Sequence, residues 1–116
     1  MSELNWFSAK IRMACLIEPK GGHRYGDSVF LFQSTDFDSA FKKALEIGRQ
    51  HEETYLNAEE QRVMWKLKEI ISLDIIISKS LDGAEVYSEP VDLLPGESIP
   101  FNIKFHPEQS TPTQTV

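Results

Sequence analysis

Few residues of this 116-residue sequence have types and spacing that could do chemistry. His51-Glu52-Glu53 begins like a zinc-binding helix motif, but that motif needs a second histidine four positions after the first, and position 55 is Tyr. Cys15 is the single cysteine and lies in a row of apolar residues, which predicts a buried and unreactive thiol. We therefore predict no catalytic residues, no metal site and no cofactor, and a protein that is not an enzyme.

A row of cations with an aromatic residue gives the most informative pattern. Segments 6–12 and 62–68 carry polar and charged side chains at alternate positions, so these side chains share one sheet face if the segments pair as strands. Basic and aromatic side chains on an open sheet hold phosphates and stack bases in some RNA-binding domains. The simpler interpretation is a solvated face whose charges discourage edge pairing. The candidate partner-binding residues are Trp6, Lys10, Arg12, Arg62, Met64, Lys66 and Lys68.

A second candidate set lies in and around the connector 55–60. Its members are polar or aromatic and could line a small pocket: Glu53, Tyr55, Asn57 and Trp65. The alternative, which we favour, is that the polar members fix the geometry of a turn through side-chain hydrogen bonds.

Apolar residues recur at two different spacings, and these spacings predict the strands and the helix that position the candidate residues. Residues 6–18 alternate between apolar and mixed positions, which predicts a long half-buried strand, and 27–34 predicts a second strand after a loose loop containing Gly21-Gly22. Between 37 and 48 the apolar residues recur every three or four positions, which predicts a helix over 36–51 with Thr35 as its N-cap.

The second half of the chain predicts two or three more strands. Residues 61–77 form a long apolar alternation that Glu69 interrupts, so we expect a bulge or bend near Glu69. The Asp82-Gly83 turn signal introduces a strand over 85–91. Residues 99–105 alternate as well, and Pro100 would confine such a fifth strand to a sheet edge.

This order of elements predicts an α+β fold, β-β-α-β-β. We expect an antiparallel four- or five-stranded sheet with the spatial order 2-1-3-4 and one main helix packed on one face. The domain should span residues 5–105, and the tail 106–116 should be disordered because its composition is polar and rich in Pro, Ser and Thr.

Composition narrows the class of protein. The chain has 12 Lys+Arg against 18 Asp+Glu, a net charge of −6 that argues against a general polyanion binder. A single cysteine favours a reducing compartment. No apolar run approaches the roughly 20 residues that a membrane span needs. We therefore expect a cytoplasmic protein without membrane association.

Several short blocks between residues 5 and 90 have a specific order and spacing. They are Trp6-Phe7-Ser8-Ala9-Lys10, Asp38, Ala40, Lys43, Ala44, Ile47-Gly48, Glu53, Tyr55, Asn57-Ala58, Val63, Trp65-Lys66, Asp82-Gly83 and Glu85-Val86-Tyr87-Ser88. On these residues the chain resembles the uncharacterised family called domain of unknown function 4288. It departs from that pattern at Glu60, Gln61 and Met64, where similar members tend to have Gly, Glu and Arg. The resemblance implies a small cytosolic bacterial domain and implies no activity.

The residues favour a non-enzymatic protein-interaction domain that uses its open sheet face or an edge strand. A protein partner or a homodimer fits better than nucleic acid, and we expect the outer face with Trp6, Met64 and Ile70 to be covered by a second copy, by the C-terminal segment or by a partner. The alternatives are RNA or single-stranded DNA binding through the basic sheet face, and a small-ligand or enzyme domain with a pocket near Tyr55 and Trp65.

Overall fold

The computed structural model describes residues 3–77 and 80–113 and contains one four-stranded antiparallel sheet. The predicted α+β class, the antiparallel sheet and the single main helix are confirmed. The sheet is curled, its strand order is β2-β1-β4-β3, and α1 packs on one face. The elements are β1 (Asn5–Ile17), β2 (Gly21–Ser34), α1 (Phe37–Gln50), β3 (Glu53–Leu56), β4 (Arg62–Ile76) and a 3₁₀ turn (Pro107–Gln109).

The fourth place in the predicted strand order is wrong. The first three predicted strands lie side by side as expected, but β3 rather than 85–91 pairs with the outer edge of β4. The connector 55–60 therefore contributes to a strand, and 85–91 forms none. The physical reason is proximity along the chain, since a five-residue turn joins β3 to β4 and closes the hairpin at low entropic cost.

The connection between β1 and β2 is tighter than predicted. Gly21-Gly22 belongs to β2 instead of a loop, and Ile17 pairs directly with Gly21. Gly21 has φ 85°, a backbone conformation that residues with a Cβ adopt only at a cost. The hairpin therefore extends several residues beyond the predicted start of β2 at residue 27.

Helix α1 begins at Phe37, one residue later than predicted, and its N-cap is also displaced by one residue. Thr35 is not the N-cap; Asp36 has an extended backbone, and its carboxylate accepts a hydrogen bond from the Ser39 amide at 2.8 Å. The helix turns small residues toward the sheet, and the approach is closest at Gly48, where a Cβ would lie 2.6 Å from Leu67 Cδ1. The core between helix and sheet includes the fully buried Phe7, Ala9, Ile11, Ala40 and Ala44.

Two irregularities in β4 confirm the predicted bulge near Glu69. The register with β1 shifts twice, and each shift leaves one residue of β4, Ile71 and Lys68, without a partner on β1. Because each extra residue changes which side chains face the helix, Ile70 packs against the core and Ile71 is partly exposed. The prediction that Ile70 lies on the outer face is therefore wrong.

The chain after β4 contains turns but no strand among its described residues. The optional fifth strand over 99–105 is absent, since Ile103 N donates to Pro100 O at 3.1 Å and closes a turn there. All residues of 90–113 are exposed. The disorder of the tail 106–116 stays a prediction, and residues 114–116 lie outside the described part of the chain.

The turn between β3 and β4 is organised by one side chain. Asn57 Oδ1 accepts hydrogen bonds from the amides of Glu59 and Gln61, both at 2.9 Å, and its own amide donates to Gln61 O at 3.0 Å. This geometry places Glu60 at φ 62°, in the left-handed region that favours glycine.

Replacing the strained residue should therefore stabilise the fold. We expect Glu60→Gly to raise the free energy of unfolding by about 1 kcal/mol. Glycine adopts the left-handed conformation without strain, and this gain outweighs the larger conformational entropy that glycine gives to the unfolded chain. Urea titration followed by circular dichroism measures the change. The neighbouring Glu59→Gly is the matched control and should be neutral or destabilising. Equal effects of the two substitutions would contradict the role of φ at position 60.

Candidate functional site

The sheet face turned away from α1 carries the predicted row of cations. We call it the outer face and define it by Trp6, Ser8, Lys10 and Arg12 of β1. Strand pairing sets Lys10 beside Val29 and Ser72, and sets Arg12 beside the acidic residues Asp27 of β2 and Glu69 of β4. The neighbours of this row therefore include carboxylates as well as apolar residues.

Arg12 is engaged by a carboxylate in a two-pronged ion pair. Its Nε donates to Asp27 Oδ1 at 2.8 Å, and its Nη2 donates to Asp27 Oδ2 at 2.9 Å. These hydrogen bonds lower the pKa of Asp27 below its ordinary value and raise the pKa of Arg12. The guanidinium also lies 5.5 Å from the Tyr25 ring. The two guanidinium N–H groups that could bind a phosphate in bidentate geometry therefore already donate to Asp27.

Lys10 is held by residues far along the sequence. Its Nζ donates to Tyr87 Oη at 3.0 Å and to Glu89 Oε2 at 3.2 Å, and lies 3.9 Å from Asp27 Oδ2. The hydrogen bonds to Tyr87 and Glu89 raise the pKa of Lys10, and the Lys10 hydrogen bond lowers the pKa of Glu89. Tyr87 Oη also donates to Glu89 Oε2 at 3.0 Å, so three side chains close one triangle, which we call the latch.

The latch fixes residues 84–89, which we call the strap, over part of the outer face. A surface depression is lined jointly by 74–77 of the sheet and 85–88 of the strap. Ser8 and Ile76, which an open face would expose, are 1% and 7% exposed. Among the described residues no backbone hydrogen bond joins the strap to the sheet. Side chains, chiefly those of the latch, therefore hold it in place.

The strap leaves two hydroxyls of the outer sheet layer unpartnered. Ser8 Oγ and Ser72 Oγ are buried and have no hydrogen-bond partner within the described parts of the chain. Ser72 lies directly across from Lys10, whose ammonium turns to the strap instead.

The other predicted partner-binding residues are dispersed. Arg62 Nη1 lies 3.5 Å from Glu18 Oε1 at an exposed position. Lys66 and Lys68 make no ion pair with any described residue. Met64 is half-buried. The structure thus sets Lys10 and Arg12 next to acidic partners, sets Trp6 between Gln33 and Ile76, and leaves Lys66 and Lys68 exposed.

The four residues of the candidate pocket do not converge. Glu53 and Trp65 line a surface depression with Met64 and Lys66, whereas Asn57 lines a different one beside Ile17. Tyr55 Oη accepts a hydrogen bond from the Trp65 indole at 3.2 Å. Trp65 also packs beside Gly26, where a Cβ would lie 3.3 Å from its ring, and Arg24 lies 5.7 Å from that ring.

His51 and Cys15, whose residue types could bind a metal ion, do not lie in a cluster of ligands. Within residues 3–77 and 80–113 no group of three or more His, Cys, Asp or Glu side chains is placed to hold a metal ion. His51 stays at the end of α1, with Nδ1 2.8 Å from Ile47 O, and Cys15 is buried. No helix of the described chain has the length and apolar character to cross a membrane.

The predicted strand order already places β2 at a sheet edge, but sequence reasoning named none of its residues as candidate partner-binding residues. This 14-residue strand pairs with β1 along one side only, and its outer-face side chains Tyr25, Val29 and Leu31 are 58%, 43% and 45% exposed. The available signal was the run Val29-Phe30-Leu31-Phe32, which is apolar at successive positions rather than alternate ones. Such a run supplies apolar side chains to both faces of the sheet.

The latch generates a prediction about the strap. Tyr87→Phe removes two of the three hydrogen bonds of the latch and leaves only the one from Lys10 to Glu89, so amide hydrogens of the strap should exchange at least several-fold faster by mass spectrometry. Tyr25→Phe, on the same face but outside the latch, should leave their exchange unchanged. Equal exchange in both variants would contradict the latch.

The charge of the latch predicts its pH dependence. Because the pKa of Glu89 is lowered, the latch is complete above the ordinary glutamate range and is lost as pH falls through the folded-state pKa. Because the pKa of Lys10 is raised, alkaline loss begins only above the ordinary lysine value. After correction for intrinsic rates, strap protection should be constant around neutrality and decrease in acid. A change in protection between about pH 6 and 8 would be inconsistent with this assignment.

Comparison with known proteins places the chain in a family. No curated protein and no solved structure matches it. The family model described as "Domain of unknown function (DUF4288)" matches residues 6–88 of the 116. The match therefore includes the sheet, α1 and most of the strap, and ends before residues 90–113. Because it covers more than half of the chain, this protein belongs to the family described as domain of unknown function (DUF4288).

Proposed function

We propose that this chain is a non-enzymatic protein-interaction domain that binds through the free edge of β2 and the adjoining outer face. The observation that carries the proposal is the 14-residue strand Gly21–Ser34, which is paired on one side only and exposes Tyr25, Val29 and Leu31. An exposed edge offers backbone donors and acceptors to an extended segment, and neighbouring side chains give such binding its specificity.

The two edges of this sheet differ in a way that supports the proposal. Proteins usually protect an edge by keeping it short or by adding Pro, charges or bulges. β3 is four residues long, whereas β2 is long, lacks Pro and is uncharged over 28–32. Lys43 Nζ donates to the Gln33 carbonyl at 2.9 Å, which protects one end of β2. The stretch 25–32 has no comparable protection among the described residues.

The two alternative functions have less support. Nucleic-acid binding needs free cations, but Lys10, Arg12 and Arg62 lie within 4 Å of the carboxylates of Glu89, Asp27 and Glu18, as their ion-pair distances of 3.2, 2.8 and 3.5 Å show. Binding through phosphates would also weaken steeply as the salt concentration rises. Titrations with single-stranded RNA at low and at higher salt measure this dependence. A ligand pocket near Tyr55 and Trp65 needs convergent polar groups, but Glu53 and Asn57 line two different surface depressions.

Charge substitutions on the edge test the proposal. In Val29→Lys/Leu31→Lys the new ammonium groups would have to lose water when a partner strand docks, so recovery of bound protein should fall at least tenfold. The measurement is affinity purification of the tagged full chain from its native cell, with quantitative mass spectrometry.

A matched control separates edge binding from general surface charge. Leu56→Lys makes a single apolar-to-lysine change at a 68% exposed position on β3, the opposite edge, for comparison with Leu31→Lys alone, and should retain the partners of the unmodified chain. Urea midpoints should show that all variants fold equally well. Retention of the same proteins by the Val29/Leu31 variant, or equal loss with Leu56→Lys, would refute the role of the β2 edge.

A further inference from the structure

We infer that the free edge of β2 receives the C-terminal arm of a second copy of this chain, so that two chains exchange arms in a closed dimer. We call residues 90–113 the arm. The inference rests on the proposed function of the β2 edge and adds the identity of its occupant.

The arm exposes more large apolar side chains than an unpartnered segment normally does. All its residues are exposed, and Phe101 has the full exposure of an extended chain, at 106%. Every hydrogen bond of the arm among the described residues joins two arm residues. So many exposed large apolar side chains in one segment indicate an interaction site. Its members are Val91, Leu93, Leu94, Ile99, Phe101, Ile103 and Phe105.

Residues 99–105 have the pattern of an added edge strand. The apolar residues at 99, 101, 103 and 105 alternate with Pro100, Asn102 and Lys104. In an extended strand the backbone groups of alternate residues point to opposite neighbours. When the four apolar residues direct their N–H groups to β2, Pro100 faces away from β2, where its missing N–H loses no ladder bond. The same parity puts all four apolar side chains on one face.

The β2 edge has a matching surface. Residues 25–31 and 99–105 are both seven residues long, about 23 Å in extended conformation. Adjacent strands lie about 4.8 Å apart, so the apolar row of the arm would pack beside Val29 and Leu31 on the outer face. Both sets of side chains, exposed in the single chain, would lose contact with water together.

The arm leaves the domain beside the β2 edge of its own chain but makes no hydrogen bond to that edge among the described residues, which favours the edge of a second copy as its binding site. Glu89 is held by Lys10, which pairs with Val29, so each arm starts beside the edge that it complements. Nine residues lie between 89 and 99, and these ten residue steps reach up to about 33 Å, enough to cross to a neighbouring molecule. Each copy offers one arm and one edge, and when two copies are related by two-fold symmetry the exchange is reciprocal and closes after two chains.

The primary test measures mass in solution. The full chain should sediment as a dimer, twice 13.3 kDa, at micromolar concentration. Phe101→Lys/Ile103→Lys in the arm and Val29→Lys/Leu31→Lys on the edge should each sediment as monomers. Val91→Lys/Leu94→Lys, which adds the same charge to the arm outside 99–105, should remain dimeric.

Mixing the two monomeric variants gives a sharper result. The arm variant keeps an intact edge and the edge variant keeps an intact arm, so an equimolar mixture should form a heterodimer with one intact contact. Failure of the mixture to associate, when both variants are folded by urea titration, would overturn arm exchange.

The remaining outcomes separate this inference from the proposed function. A monomer whose residues 99–105 are protected from hydrogen exchange would identify the chain's own arm as the occupant and overturn the exchange between copies. A dimer that survives the arm substitutions but not the edge substitutions would also overturn it, while supporting the β2 edge as the binding element. A dimer unaffected by the edge substitutions would overturn the exchange, and the affinity purification with the Val29/Leu31 variant would then decide the role of the β2 edge on its own.

Discussion

The pairing of β1 on both of its sides is the constraint on which the rest of the structure depends. This 13-residue strand is hydrogen-bonded to β2 and β4 along nearly its whole length. Its inward side chains Phe7, Ala9 and Ile11 are fully buried and supply the floor on which α1 packs. Because successive residues face opposite sides, the same backbone also fixes where Ser8, Lys10 and Arg12 must stand.

The chemistry of the outer face follows from that placement. Three basic side chains of an acidic protein are held by carboxylates that come from β2, from the strap and from the β1–β2 turn. Lys10 thereby acquires a structural role, because it ties residues that lie nearly eighty positions away in sequence to the central strand. At the β2 edge and in the arm, the exposed groups are then apolar side chains and unpaired backbone groups, which favours contacts with protein.

The sequence was sufficient for the elements that have a strong period. Strands 6–18 and 61–77, the helix 36–51 and the bulge near Glu69 are visible because burial on one face imposes a repeat of side-chain types. β3 has four residues, too few for a period, and forms because Asn57 organises the turn that follows it. The strap shows no regular spacing of apolar residues that would reveal its position. Side chains rather than a ladder of backbone hydrogen bonds hold it on the sheet. For the same reason the candidate pocket around Tyr55 and Trp65 could be named from residue types, while the separation of Asn57 from it could not.

The position of β1 between its two neighbours also has a consequence during synthesis. β2 follows β1 directly, so the hairpin can form as soon as residue 34 has emerged, but β4 is not complete until residue 76. Until then one edge of β1 has no hydrogen-bonded neighbour, and its apolar side chains are only partly covered. Non-local pairing of this kind folds slowly relative to helical domains. The nascent chain thus passes through an interval in which its most hydrophobic strand is open to association with other chains, and crowding at the ribosome would be the condition under which this protein aggregates most readily.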